Sequence, residues 1–408
     1  MKIKLITLSI GLFTSIAAYA STIPAGGKVT FGDGSIQRPS RNEVLIQQNS
    51  DKMIIDWTSF NVAKGNSVTF KQPNANSIAL NRVVGSASTN IVGKLNANGK
   101  VFLVNPNGIM LRSGSQINVS GIVATTKNIR NEDFINGNYL FTSKNGDMKS
   151  VVNQANIKTS DGGFVVLSSD NVINSGRITA PSGKIILAAS EKIKLNLDKS
   201  GLKSIVVDGE IANAMIRNSG YISSTNGQIY LTALGKDMLM NTVINNHGII
   251  AASGFTDSEA NININGGKSG KVEIEGQLIA NNFNGHGGNV IIDGESISLR
   301  DFASIDVQGS KNAGNVNIGS TNTSHINMSS FANIYASSTS TGNGGKVNMT
   351  ANDSIKMHGL IESKGGIISG DGGYVEFNSK GDFLNNGTIN VTAPNGYDGV
   401  VNTNNVVL

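Results

Sequence analysis

Four histidines, at positions 247, 286, 325 and 358, are the first residues to weigh for metal chemistry. A zinc site draws its ligands from short, regular spacings or from segments that converge. None of the four has a histidine at i+2 or i+4, and each falls in a separate stretch, so they read as loop residues and no metal is expected. Asp293, Asp301 and Asp306 are the nearest approach to a carboxylate cluster. Acid–base work on a polysaccharide needs carboxylates gathered on one face. Placed along short strands, these three turn in different directions, so no catalytic residue and no enzyme is expected. A β-helical polysaccharide-active enzyme stays an alternative that three converging carboxylates would favour. Gly370-Asp371-Gly372-Gly373 resembles one unit of a calcium-binding glycine–aspartate repeat, but it occurs once, without the nine-residue period. Gly183-Lys184 opens a strand rather than a helix, which removes the phosphate-loop reading. Sequons at Asn118, Asn348, Asn386 and Asn390 follow from composition, since 53 of 408 residues are Asn. No cofactor is expected.

With chemistry set aside, composition speaks to architecture. Charged residues make up 15% of the chain, below the roughly 25% of an average globular protein. There are 49 Gly, 6 Pro and no Cys. Val and Ile dominate the apolar residues, and no Ala/Leu/Glu/Lys-rich stretch supports long helices, which excludes an all-helical fold and a coiled coil. Apolar content of 38% suffices for a core. The net charge of +5 is scattered among both signs, so no nucleic-acid arm is present and no nucleic-acid partner is expected.

Residues 1–20 read as an export signal. Lys2 and Lys4 precede an apolar run from Leu5 to Ala18, which ends in Ala18-Tyr19-Ala20 before Ser21. A basic start, a short apolar middle and small residues at the end fit a secretory signal peptide cleaved between Ala20 and Ser21. Fourteen residues are too few to span a bilayer. An exported chain without Cys must be stable without disulfides, and nothing locks it early in an oxidising periplasm.

A repeat runs through the rest. One element, a Gly followed by alternating apolar residues, starts at Gly163, Gly183, Gly227, Gly270, Gly288, Gly314, Gly345 and Gly373. A second starts at Gly176, Gly220, Gly248, Gly276, Gly359 and Gly387. Each is a strand of four or five residues with period-two alternation. The irregular spacing argues against a propeller, whose blades keep a constant length. The pattern predicts an all-β fold, a right-handed parallel β-helix with an N-terminal cap in Ser21–Gln72. Read as turns of about twenty residues, with the widest glycine gaps counted as two turns, the chain makes about nineteen turns and a rod of about 90 Å. Gly and Asn are expected at corners that need positive φ, and stacked Asn to bond along the rod. Thr, Asn and Lys between the inward apolar positions are expected to face water.

The stretch from Lys28 to Thr126 differs. It contains Ile54-Ile55-Asp56-Trp57, then Ala79-Leu80-Asn81-Arg82-Val83, then Val101-Phe102-Leu103-Val104-Asn105-Pro106-Asn107-Gly108-Ile109. Asn105-Pro106-Asn107-Gly108 has turn chemistry: Asn caps, Pro presets φ, Gly relieves crowding. In this order, after a signal peptide, the run resembles the secretion domain of two-partner secretion exoproteins, the filamentous haemagglutinin family. Asn105–Ile109 matches that family's Asn-Pro-Asn-Gly-Ile motif, and Asn81-Arg82-Val83 the run before it. The likeness weakens through Asp133-Phe134, Asn174-Ser175-Gly176 and Ala188-Ala189 to about Gly254. The family's Asn-Pro-Asn-Leu motif has no clear copy, which places the chain nearer the high-molecular-weight adhesin branch.

The resemblance implies a division into residues 21–254, the secretion domain, and residues 255–408, continuing β-helical repeats. It implies an outer-membrane β-barrel transporter as partner, whose periplasmic domains recognise Asn81, Arg82, Asn105, Pro106, Asn107, Gly108 and Ile109. It further implies a secreted exoprotein, delivered through the periplasm to the cell surface, acting there as an adhesin or haemagglutinin on a host or bacterial glycan or protein receptor. A monomer is expected. A cytolysin or contact-dependent toxin fragment is the alternative within the family, although no distinct toxin-like module follows the repeats. A chain shorter than usual for the family suggests a truncated copy.

Overall fold

A computed structural model describes residues 22–143, 149–199, 201–236, 242–255 and 260–403. The expected cleavage site at Ala20 and Ser21 lies outside them.

Strands mostly of three to six residues, with longer ones at Gln116–Thr125 and Asn156–Ser169, wind into coils, and each coil stacks in parallel register on the one before. Three faces result. The first contains Lys184–Ala189, Gln228–Ala233, Asn261–Asn265 and Asn289–Asp293, paired in that order. The second is an 11-stranded parallel sheet from Thr89–Ile91 to Asp382–Asn385. The third contains Arg177–Thr179, Tyr221–Ser223, Ile249–Ala251 and Gln277–Ile279. Period-two alternation puts Ile185, Ile229, Ile262 and Val290 in line on the inner side of the first face, all buried. This stack is the β-helix the repeat predicts.

The winding differs from the sequence expectation in scale. Stacked equivalents lie from 20 to 44 residues apart. The interval of 44 between Asn174 and Asn218 is one coil with an insertion, not two. Gly270 opens a strand of the second face, whereas Gly227 opens one of the first, so their separation is no coil length at all. The first face stacks thirteen parallel strands from Lys52–Trp57 to Val400–Asn402, two more than the second, which gives a rod of about 60 Å, not 90.

The repeat glycines also act differently. Gly288, Gly314, Gly345 and Gly373 are absent from the positive-φ positions. A Cβ at Gly314 would strike the carbonyl oxygen of Gly288, and one at Gly345 that of Gly314. Bare backbone is required because successive corners pack directly on one another. Positive φ falls on only two asparagines among the described residues, Asn213 and Asn226, but the expected ladder is there: Asn153, Asn174, Asn218 and Asn246, all fully buried, pass an amide-to-carbonyl bond of 2.7 Å up three successive coils.

The first coil is covered, but by a cap shorter than Ser21–Gln72, since parallel stacking already begins at Glu43. Lys28–Phe31 lies antiparallel to Lys52–Trp57, and Gly34–Ser40 antiparallel to Glu43–Gln48, which then pairs in parallel with Ser67–Lys71. The cap occupies an edge that would otherwise recruit a foreign strand.

A second layer lies outside the helix. Tyr139–Thr142, Lys192–Asp198 and Gly201–Asp208 form a three-stranded antiparallel sheet, joined by the short helix Asn131–Ile135. Under it Phe102, Val104, Phe164, Val166 and Ile186 point outward from the first face and are buried with Phe134, Tyr139, Phe141 and Ile193. Here the outward positions are apolar rather than Thr, Asn or Lys, because the insertions fold back over them.

Candidate transporter-recognition site

Asn81 and Arg82 lie on Ile78–Val83, which pairs in parallel with Lys100–Val104; Arg82 sits opposite Val104, the residue before Asn105. Two motifs separated in sequence therefore occupy neighbouring coils.

Asn81 faces the core and is fully buried. Its Oδ1 accepts the Trp57 indole N–H at 3.0 Å, and its amide donates to the Ala79 carbonyl at 3.2 Å. Both polar ends of two buried side chains are thereby satisfied. Arg82 points the other way. Its guanidinium donates to Asp56 Oδ1 at 3.2 Å, Asn128 Oδ1 at 3.2 Å and the Ile129 carbonyl at 2.8 Å. Asn128 exchanges two backbone bonds with Thr142 of the outer sheet. Arg82 thus clamps the outer layer to the coil with the fixed fork that suits several acceptors at once.

The Asn105–Gly108 turn closes through the Gly108 N–H to the Asn105 carbonyl, 3.1 Å, with Gly108 at φ +108. Asn105 is fully buried. Its Oδ1 accepts the Asn107 backbone N–H at 2.9 Å, and its amide donates to the Ala87 carbonyl at 3.0 Å and Thr89 Oγ1 at 2.9 Å. The Asn107 amide donates to the Gly85 carbonyl at 2.8 Å. Ile109 is buried between Thr89 and Val151 in the second face. In the folded chain the motif is turned inward, with only Pro106 and Asn107 partly exposed among its five residues.

Pro106 lines a cleft of about 200 Å³ together with Thr126, Asn128, Thr142, Lys149 and Asp170. Beside it lies Lys127, whose side chain is wholly buried, with Nζ 3.6 Å from Asp170. That distance is an ion pair rather than a hydrogen bond. Burial pushes the Lys127 ammonium below the usual lysine range, while Asp170 and Glu191 oppose the shift. Sequence reading missed this lysine because a Lys ending an apolar strand looks solvent-facing. The usable signal was the unbroken apolar run Ile122–Ala124 before it, which means both sides of the strand are covered.

Elsewhere, His247 contacts Glu275, and His325 contacts Ser354. Among the described residues no three His, Asp or Glu side chains gather to hold a metal ion. Asp293 accepts Ser320 Oγ at 2.9 Å, Asp306 accepts the Asn281 amide at 2.7 Å, and Asp301 occupies a positive-φ turn. Burial raises the Asp306 carboxyl, against the Gln308 and Asn281 bonds.

Residues 20–278 match the TPS secretion domain family. The chain is 37% identical over 249 residues to a heme/hemopexin-binding protein of Haemophilus influenzae, covering 59% of this chain and 27% of that protein. It is 31% identical over 286 residues to another heme/hemopexin-binding protein of Haemophilus influenzae, covering 64% and 30% respectively. The chain thus spans under a third of the length of these relatives. The crystal structure of the HMW1 secretion domain from Haemophilus influenzae superposes with a TM-score of 0.79 at 27% identity, over 92% of this chain and all of that one.

Proposed function

The chain belongs to the two-partner secretion exoproteins, which travel through the periplasm to the cell surface with an outer-membrane transporter as partner, and on that premise we propose how this one is read and what it then does. The transporter's periplasmic domains read Asn81, Arg82 and Asn105–Ile109 while the chain is extended, after a leader of residues 1–20 has been removed at Ala20. The observation supporting this is the inward saturation of the motif: Asn105 and Asn81 are fully buried with their amides engaged once folded. A reader of those side chains must meet them before the coil closes. Each coil then buries its apolar face on the previous one, so folding outside discourages return. Co-expression with and without the cognate transporter tests this reading: release should depend on the transporter, and equal release in both would contradict it.

Residues 21–254 serve delivery, and the coils beyond carry binding as an adhesin, without catalysis. Phe302 and Phe331, 73% and 64% exposed, stand 5.4 Å apart on successive coils. Phe255 and Phe283 follow Gly254 and Asn282, which are bridged across coils. Exposed apolar residues repeated along one rod mark a contact surface. Cell-adhesion assays comparing residues 21–254 with the whole chain should show attachment only with the whole chain.

A second reading, heme or hemopexin binding, is favoured by the two relatives of that name. Heme titration followed by absorbance separates it from adhesion.

A further inference from the structure

The outer sheet runs in the order Tyr139–Thr142, Lys192–Asp198, Gly201–Asp208, so the eight-residue strand Gly201–Asp208 ends the sheet with one edge unpaired. Among the described residues no second strand pairs with it. Between this edge and the bare first face runs a groove of about 480 Å³. Its wall is Leu202–Ile205 and Val207, and its floor is Ile186, Tyr230, Thr232 and Asn265. Among the described residues the charged ones lining it are Lys184 and Lys203, with Asp198 close enough to Lys184 to act on its charge. The Lys184 ammonium donates to the Lys203 carbonyl, so a lysine stands where a strand's N–H would donate. The acidic residues Asp208, Glu210 and Asp293 lie past Asn265, in an adjoining cleft that also holds Lys236 and Lys268.

A free edge of this length offers main-chain donors and acceptors at strand spacing, and Val206, 52% exposed, contributes nothing that repels a neighbour. Of the devices that blunt native edges, proline and brevity are absent here, and the bulge at Lys203 is confined to the start of the strand, leaving Ser204–Asp208 in regular register. We propose that this groove binds an extended peptide segment of a partner protein, added as a fourth strand beside Gly201–Asp208, with carboxylates directed at Lys184 and Lys203. Alternate side chains of the incoming strand would rest on Tyr230 and Thr232, and the intervening ones would face outward. The groove exists only when residues 184 to 265 are folded, so its partner is met after folding. It stands apart from the transporter reading above.

The probe is a capped octapeptide of alternating Val and Glu, titrated against the folded chain from residue 21 onward, beside a Val/Lys counterpart. The Val/Glu peptide should bind saturably and the Val/Lys peptide at least about tenfold more weakly. Methylating the backbone nitrogens of one alternate set of residues should abolish binding, and methylating the other set should leave it intact, because an added strand bonds along one edge only. The double variant Lys184→Glu/Lys203→Glu should reverse the preference. Absence of saturable binding, equal binding of both peptides, or indifference to methylation would overturn the proposal. So would self-association of the chain that Lys184→Glu/Lys203→Glu abolishes, since the occupant would then be a second copy.

Discussion

The Asn107 amide crosses one coil to the Gly85 carbonyl, 2.8 Å away, and so fixes the turn after Val104 to the corner below it. That corner has no slack, because a Cβ at Gly85 would strike the Thr58 carbonyl. A residue proposed for recognition is therefore also a staple between coils, and the proposal separates the two roles in time.

Asn107→Ala removes the bonds to Gly85 and to Asn105 Oδ1. The loss is expected to be about 1–2 kcal/mol of stability, read from the urea midpoint. Export should fall further than that loss explains, with leader removal intact; undiminished release would limit the residue to the staple. Asn107→Asp should be worse in both readouts, since a carboxylate would face a carbonyl.

The buried asparagine ladder gives a second test. Asn174→Ala leaves the Asn153 amide and the Asn218 carbonyl oxygen without their partner inside the core. About 2–4 kcal/mol should be lost. Asn289→Ala, in the solvent-accessible ladder between Asn261 and Asn315, should cost under about 1 kcal/mol, because water replaces what is removed. Equal losses would show that the ladder's burial is irrelevant.

Phe102 joins coil to outer layer. Its ring meets Tyr139 at 5.6 Å, Phe141 at 5.8 Å and Phe134 at 6.2 Å. Phe102→Ala is expected to cost about 3–5 kcal/mol. Hydrogen exchange should show Tyr139–Thr142 losing protection before the coils do.

Tyr139 supplies a pH dependence. Burial pushes its phenol up to about 12, against an unfolded value near 10. The folded state therefore holds the proton that the unfolded state releases. This stabilisation is full below pH 10 and is lost as pH rises through the folded value. Urea titrations between pH 9 and 12 should show the wild type falling more steeply than Tyr139→Phe; parallel curves would contradict the shift.

Much of the coil was legible because one face keeps its phase. Gly176, Gly220, Gly248, Gly276, Gly359 and Gly387 each open a strand of the third face. The other element mixed two faces at Gly270, since two strands of one coil share the same glycine-then-alternation pattern. The outer sheet was hidden for a different reason. Lys192–Asp198 alternates like a coil strand, and only the pairing of Lys184 with Gln228 shows that it lies outside the stack. The unbroken apolar runs at 101–104 and 164–167 carried that information, because a strand wet on one side alternates and a strand covered on both does not. The inward turn of Asn105 was not legible either. Turn chemistry fixes the backbone, whereas the bonds to Ala87 and Thr89 depend on which coil lies beneath.

The most direct measurement dilutes the urea-unfolded chain, from residue 21 onward, into buffer and adds the transporter's periplasmic domain after graded delays. Capture should be high at short delay, decline with the time course of folding, and drop from the start in Asn107→Ala. Undiminished capture of the fully folded chain would contradict recognition of the extended motif.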